Sequence, residues 1–299
     1  MNNEKPLSKA ATIKINPIWY VYIALFMILI TAIFIYNYDF IVDGAFHLAQ
    51  SFGPEFFLFV LGGFIAQMID GALGMAYGVS ASTFLLSMGV PPAAASASIH
   101  TSEIFTSGVS GLMHFRFQNV NKKLFQTLLI PGIIGAIVGA YLLSNLEDYN
   151  YIIRPVVAIY TFVLGFIIIL KAIRQQGAKL KTSRIPLLAS FGGMMDSIGG
   201  GGWGPIVSST LIAGGRSPRY TVGSVNAAEF FVALASSITF FLLIGLSHLQ
   251  VILGLILGGI IAAPIAASIT SKLPVKTMMI VVGVTVMLVS LRLIFIAFF

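Results

Sequence analysis

The chain has 299 residues, of which 58% are hydrophobic and only 9% charged, with a formal net charge of +7; its mean hydropathy is +0.97. Soluble domains carry about 25% charged residues, so the composition excludes a soluble enzyme, a disordered protein and a nucleic-acid-binding module, and leaves a polytopic α-helical membrane protein. Continuous rather than alternating apolar runs argue against an outer-membrane barrel, and the absence of cysteine excludes disulfides, thiolate metal sites and thiol chemistry.

Residues 1–16 are polar and carry Lys5, Lys9 and Lys14, and an apolar run flanked by Trp19 and Tyr20 follows from Pro17 to Tyr36. That run is long enough to cross a bilayer. It lacks the short core and small-residue cleavage site of a signal peptide, so residues 1–54 are expected to be a tail, a retained first helix and a loop. The remaining apolar runs are 55–70, 77–90, 93–115, 124–146, 151–171, 186–198, 204–214, 219–245, 250–271 and 277–298. The runs 55–70, 77–90, 186–198 and 204–214 are too short to span comfortably, and they form two adjacent pairs, each split by a glycine-rich break.

The charges choose between topologies. Arg116, Lys122 and Lys123 share one loop; Lys171, Arg174, Lys179, Lys181 and Arg184 share another; Arg216 with Arg219, and Lys272 with Lys276, mark two more. Glu147, Asp148 and His248 lie in loops without Lys or Arg. If each short pair is a hairpin that enters and leaves by one face, every basic loop falls on the N-terminal side. The positive-inside rule therefore predicts a cytoplasmic N-terminus and an outside C-terminus. Arg154 and Arg292 are exceptions, and Arg154 can snorkel from a helix end.

The two halves match without gaps from Asp70 to Phe115 at an offset of 126 residues. Asp70 pairs with Asp196, Gly74 with Gly200, Gly78 with Gly204, Ser82 with Ser208, Gly89 with Gly215, Pro92 with Pro218, Ser98 with Ser224, Glu103 with Glu229 and Phe115 with Phe241. Chance likeness between apolar segments matches Leu and Ala, not Asp, Glu, Gly and Pro. The expected repeats are 55–173 and 186–299, joined by a cytoplasmic linker at 174–185. Each holds a broken-helix hairpin and three spanning helices. Three crossings invert the second copy, and inverted repeats with interrupted helices place a substrate where the breaks meet, as in secondary transporters.

The hairpin tips read D-G-A-L-G-M-A-Y-G at 70–78 and D-S-I-G-G-G-G-W-G at 196–204. A half-helix starting near Gly78 or Gly204 offers free N–H groups and partial positive charge, which suit an anion. Gly74, Gly200, Gly201 and Gly202 allow close backbone approach, and Ser80, Ser82, Thr83, Ser208, Ser209 and Thr210 add hydroxyls. Trp203 either stacks on substrate or fills a gap, and the serines and glycines equally serve helix packing. Asp70, Asp196, Glu103 and Glu229 are carboxylates within apolar segments, where each needs a partner or a proton. The aspartates stand beside the breaks and serve either as caps or in coupling. The glutamates sit inside spanning runs and are the stronger coupling candidates. His100 lies one turn before Glu103 and matches Asn226, one turn before Glu229, so each pair shares a helix face; the pairs either face the centre or make structural hydrogen bonds between helices, the latter being the expectation for Asn226.

With these residues in hand, the chain resembles the sulfite exporter TauE/SafE family, also called the toluene sulfonate uptake permeases. The resemblance covers residues 55–298 and rests on the matched hairpins, the run G-G-G-G-W-G-P at 199–205 and the run G-S-V-N-A-A-E-F-F at 223–231. It implies transport of small sulfur oxyanions or organosulfonates across the bacterial inner membrane. The expected partners are the bilayer and a small anion, not nucleic acid; a homo-oligomer is left open, and no cofactor or metal is called for. No P-loop is present, so the chain itself does not hydrolyse ATP. A cation carrier or channel built on the four carboxylates is the alternative. A membrane-embedded enzyme around His100 and Glu103 lacks a convincing nucleophile or metal cluster.

Overall fold

The computed structural model describes residues 52–73, 75–173, 182–245, 248–270 and 275–298. The expected helix at 17–36, and Gly74, lie outside the described residues. Within them the chain is helical: α1 (Glu55–Leu73), α2 (Tyr77–Ser87), α3 (Pro92–Arg116), α4 (Lys122–Asn145), α5 (Asn150–Ile173), α6 (Ile185–Gly199), a π-helical turn Trp203–Ser208 leading into α7 (Ser209–Ala213), α8 (Pro218–Ile244), α9 (Leu249–Thr270) and α10 (Val275–Phe298). Among the described residues there is no strand.

Local chemistry sets the boundaries. Gly89 and Gly215, equivalent under the 126-residue offset, take φ of +89° and +77°, and each turn leads to a proline, Pro92 or Pro218, in the first turn of the next long helix. Proline suits that position because its missing N–H would be unpaired there anyway. Asn121 starts α4 by accepting a 3.0 Å hydrogen bond from the Leu124 amide through Oδ1. α6 ends on Gly200 at φ +65°, a left-handed cap.

The stretches Lys122–Asn145, Glu147–Ile173, Arg219–Ile244 and Met279–Phe298 are long and apolar enough to cross a membrane, and the protein is a multi-pass helical membrane protein. α3 has 25 residues, roughly 37 Å of helix, but it carries a buried polar series of Ser96, Ser98, His100, Ser102, Glu103 and Ser107. α1, with 19 residues, extends three beyond the expected run. Outward-facing side chains such as Phe57, Leu187 and Leu242, each more than 70% exposed, form the surface that meets lipid.

The helix pairs that pack most extensively are α1 with α9, α4 with α6, α5 with α10, and α3 with α8. Under the sequence offset α1 corresponds to α6 and α4 to α9, so the first two pairs exchange, while α3–α8 and α5–α10 map onto themselves. Both exchanged pairs use glycine for backbone contact. β-Carbons on Gly63 and Gly258 would collide with the carbonyls of Leu255 and Val60, and β-carbons on Gly135 and Gly139 with those of Ser190 and Met194. With the hydrophobic driving force weak between helices in lipid, such close approach supplies the dispersion contact that holds them together.

Candidate functional site

The two breaks are capped in the same way. Asp196 Oδ1 accepts from the Gly202 amide at 2.7 Å and the Trp203 amide at 2.8 Å. Asp70 Oδ1 accepts from the Tyr77 amide at 3.3 Å. Tyr77 and Trp203 each stand seven residues after their aspartate, so the carboxylates satisfy N–H donors that the start of a helix leaves without intrahelical partners. Ala76, just before α2, is forced to φ +95°, a conformation that a residue with a β-carbon rarely adopts.

The tips meet. A β-carbon on Gly78 would fall 2.6 Å from the Gly200 carbonyl oxygen and 3.1 Å from Glu103 Oε1. The second tip exposes carbonyls at the end of α6, and several hydroxyls take them up. Ser82 Oγ donates to Gly199 O at 2.6 Å, Ser96 Oγ to Ser197 O at 2.5 Å, and Tyr160 of α5 to Gly201 O at 3.1 Å. The Ser197 hydroxyl in turn bonds that of Ser236 at 2.6 Å. First-repeat side chains thus complete the second hairpin's backbone.

Beside the crossing lies a buried polar centre. His100 Nδ1 is 2.9 Å from Glu103 Oε2, and Nε2 is 3.2 Å from the Asp196 carbonyl oxygen. A carbonyl only accepts, so Nε2 must carry a proton. The Nδ1–Oε2 contact then holds one further proton, on the imidazole or on the carboxyl. Asp196 Oδ2 lies 3.8 Å from Nδ1, the His100 ring stacks on Phe240 with centroids 6.4 Å apart, and Tyr77 and Ser102 share a hydroxyl bond of 3.0 Å. Glu229 lies on α8, which packs against α3. Ligand atoms of His100, Glu103 and Asp196 lie within 4.8 Å of one another, close enough to hold a cation.

The other sequence candidates divide by what they touch. Buried hydroxyls of Ser80 and Ser208 have no hydrogen-bond partner. Thr83 donates to Val79 O at 2.8 Å and Ser209 to Pro205 O, each spending its hydroxyl on its own helix. Trp203 is fully buried among Leu128, Ala136 and Val232, and its indole N–H reaches Val225 O at 3.2 Å. Gly202 faces the Tyr160 hydroxyl and Gly204 faces Met75. Asn226 donates to Ser110 Oγ at 3.0 Å, joining α8 to α3 rather than pairing with Glu229. Sequence reasoning missed Tyr160, which has no polar repeat mate, and the position of Lys171. Lys171 belongs to the basic loop by sequence, but its ammonium folds back to donate to Pro205 O at 2.8 Å and to contact Ser209 Oγ.

A family model described as Sulfite exporter TauE/SafE matches residues 59–293. Among curated proteins the chain is similar to the probable membrane transporter protein YtnM of Bacillus subtilis (strain 168), at 38% identity over 196 residues. That match covers 63% of this chain and 65% of the relative, just under two thirds of its length. No solved structure matches.

Proposed function

The chain belongs to the sulfite exporter TauE/SafE family of membrane transporters, and on that premise we propose that it is a secondary transporter for a small anion, sulfite or an organosulfonate, driven by coupled protons. The observation that carries the proposal is the 2.9 Å contact between His100 Nδ1 and Glu103 Oε2, with Nε2 tied to the backbone of the second hairpin. A protonation change there acts directly on the tip that bears Asp196. The centre holds the carboxylates of Glu103 and Asp196 together at His100, and buried like charges are strongly unfavourable. An anion enters such a place only when protons accompany it.

The proposed cycle is alternating access, with the protein in an inner membrane, N-terminus cytoplasmic and C-terminus outside. The exchange of packing partners between the halves supports two inverted copies, and the touching glycine tips correspond to a closed crossing. Substrate binds when the tips part and uncover the unpaired hydroxyls of Ser80 and Ser208. The test is flux of sulfite or a sulfonate in proteoliposomes with an imposed pH gradient. Flux that follows the gradient is expected; no flux with either anion at any gradient overturns the proposal.

The proximity of His100, Glu103 and Asp196 ligand atoms favours one second possibility, a cation carrier. Against it, Asp196 Oδ1 already accepts two amides and His100 Nδ1 faces Glu103 rather than an open position. Heat protection of the purified protein by sulfite but not by divalent cations separates the two.

A further inference from the structure

Ten described Lys and Arg residues bear on the topology. Arg116, Lys122, Lys123, Lys171, Arg184, Arg216, Arg219 and Lys276 lie at or beside the helix ends that face the basic loops. Arg154 and Arg292 do not. They sit near the opposite end of the bundle, one in the second turn of α5 and the other in the last turns of α10.

The two arginines are 138 residues apart in sequence, yet they line one cavity of about 310 Å³ with Ser87, Asn150 and Tyr151. The antiparallel packing of α5 on α10, marked by the 2.8 Å bond between Thr161 and Ser290 hydroxyls, brings them together. Among the described residues neither guanidinium has an ionic partner, since both ion pairs belong to His100. Glu147 and Asp148, on the 3₁₀ turn just before α5, do not line the cavity. Arg154 spends one nitrogen, Nη2, on the Leu86 carbonyl at 2.7 Å, at the end of α2. Each guanidinium has five N–H donors in a rigid fork, and among the described residues the Leu86 carbonyl takes up one nitrogen of Arg154.

Two like charges sharing a cavity repel, and neither hydrogen-bond fork is filled from within the protein. We propose that this cavity is an oxyanion site, binding a sulfate-, sulfonate- or phosphate-type group through Arg154 and Arg292, with the Asn150 amide and Tyr151 hydroxyl as further donors. Planar guanidinium forks match two oxygens of such a group at once. The site is separate from the hairpin crossing and does not depend on the transport mechanism proposed there. Because Arg154 also holds the end of α2, an occupant would bear on the first hairpin.

Two sources of such a group exist, a soluble anion and the headgroup of an anionic lipid, and the experiment separates them. Sulfate is titrated into the purified full chain in lipid-free detergent, with heat of binding as the readout, for wild type, Arg292→Gln and Arg292→Lys. Arg292 is exposed, so its substitution leaves the fold intact. The wild type is expected to bind. Arg292→Gln should bind at least about tenfold more weakly, the loss expected for a hydrogen bond to a charged group, and Arg292→Lys should fall between.

Repeating the titration in nanodiscs of phosphatidylcholine alone, and with phosphatidylglycerol added, names the source. Sulfate binding abolished by phosphatidylglycerol assigns the site to a lipid headgroup; binding that persists assigns it to a soluble anion. Equal sulfate affinity in wild type and Arg292→Gln, or no binding in lipid-free wild type, overturns the proposal.

Discussion

Gly78 and Gly201 cross backbone against backbone: a β-carbon on Gly78 would stand 2.6 Å from the Gly201 α-carbon, and one on Gly201 would collide with the Gly78–Val79 peptide. The glycine run therefore has a mechanical use at this crossing, because any side chain would separate the hairpins. Overpacking of this kind costs about 1–3 kcal/mol. Gly201→Ala is expected to lower the melting temperature in detergent, and Gly201→Leu to block transport as well. Gly259→Ala is the control, since its β-carbon would meet Thr106 Cγ2 at an ordinary 3.5 Å. Wild-type melting and flux in Gly201→Leu would show that the tips do not meet in this way.

The two capping aspartates should differ in weight. Asp196 accepts two amides at 2.7 and 2.8 Å, and Asp70 one at 3.3 Å. Losing a cap costs about 0.5–2 kcal/mol, and each buried amide left unpaired adds about 1–3 kcal/mol. Asp196→Ala is expected to destabilise the protein more than Asp70→Ala, while Asp196→Asn, which keeps an accepting oxygen, should be mild. Thermal unfolding of the three variants checks the order, and a larger loss in Asp70→Ala would contradict it.

The repeat offset made much of this legible. It identified Asp70 with Asp196, the turn glycines Gly89 with Gly215, and the helix-opening prolines Pro92 with Pro218, all of which act alike in the fold. An offset says which residues are equivalent, not which ones meet. The contact of His100 Nε2 with the Asp196 carbonyl spans 96 residues, and that of Ser82 with Gly199 spans 117; both follow from how α3 and α2 lie across the second hairpin. The i, i+3 spacing placed His100 beside Glu103, and the reading of Asn226 as a structural hydrogen bond between helices agrees with its bond to Ser110. Lys171 misled because a four-carbon stem lets an ammonium reach back into the bundle from a helix end.

The basic loops make the topology testable. Tags at the N-terminus and within residues 174–184 are expected to report cytoplasmic, and a tag at the C-terminus outside. A compartment-specific reporter fused after residue 299 decides it. A cytoplasmic C-terminus would require an even number of crossings between the tags and would remove the inversion of the second repeat.

Proton coupling has a sharper test, because the contact it rests on joins two identified atoms, His100 Nδ1 and Glu103 Oε2. When Glu103 carries its proton or passes it to His100, the centre holds less negative charge and admits an anion; when both have lost it, the carboxylates repel one. Wild-type anion flux is therefore expected to fall as pH rises. Glu103→Gln fixes a neutral group of nearly the same shape at 2.9 Å from His100 Nδ1, so it should retain anion binding and give flux that no longer varies with pH. Glu229→Gln should flatten the profile less. Glu229 lies on α8, packed against α3, while Glu103 is bonded to the imidazole that anchors the second hairpin. Ser102→Ala removes a neutral neighbour, the partner of Tyr77 at 3.0 Å, and should leave the pH profile as it was. A purely structural role for Glu103 predicts otherwise: Gln would preserve the hydrogen bond, and rate and profile would both stay wild type. Proteoliposome flux measured across a pH series for these variants separates the outcomes, and an unchanged profile in Glu103→Gln would rule out the coupling role.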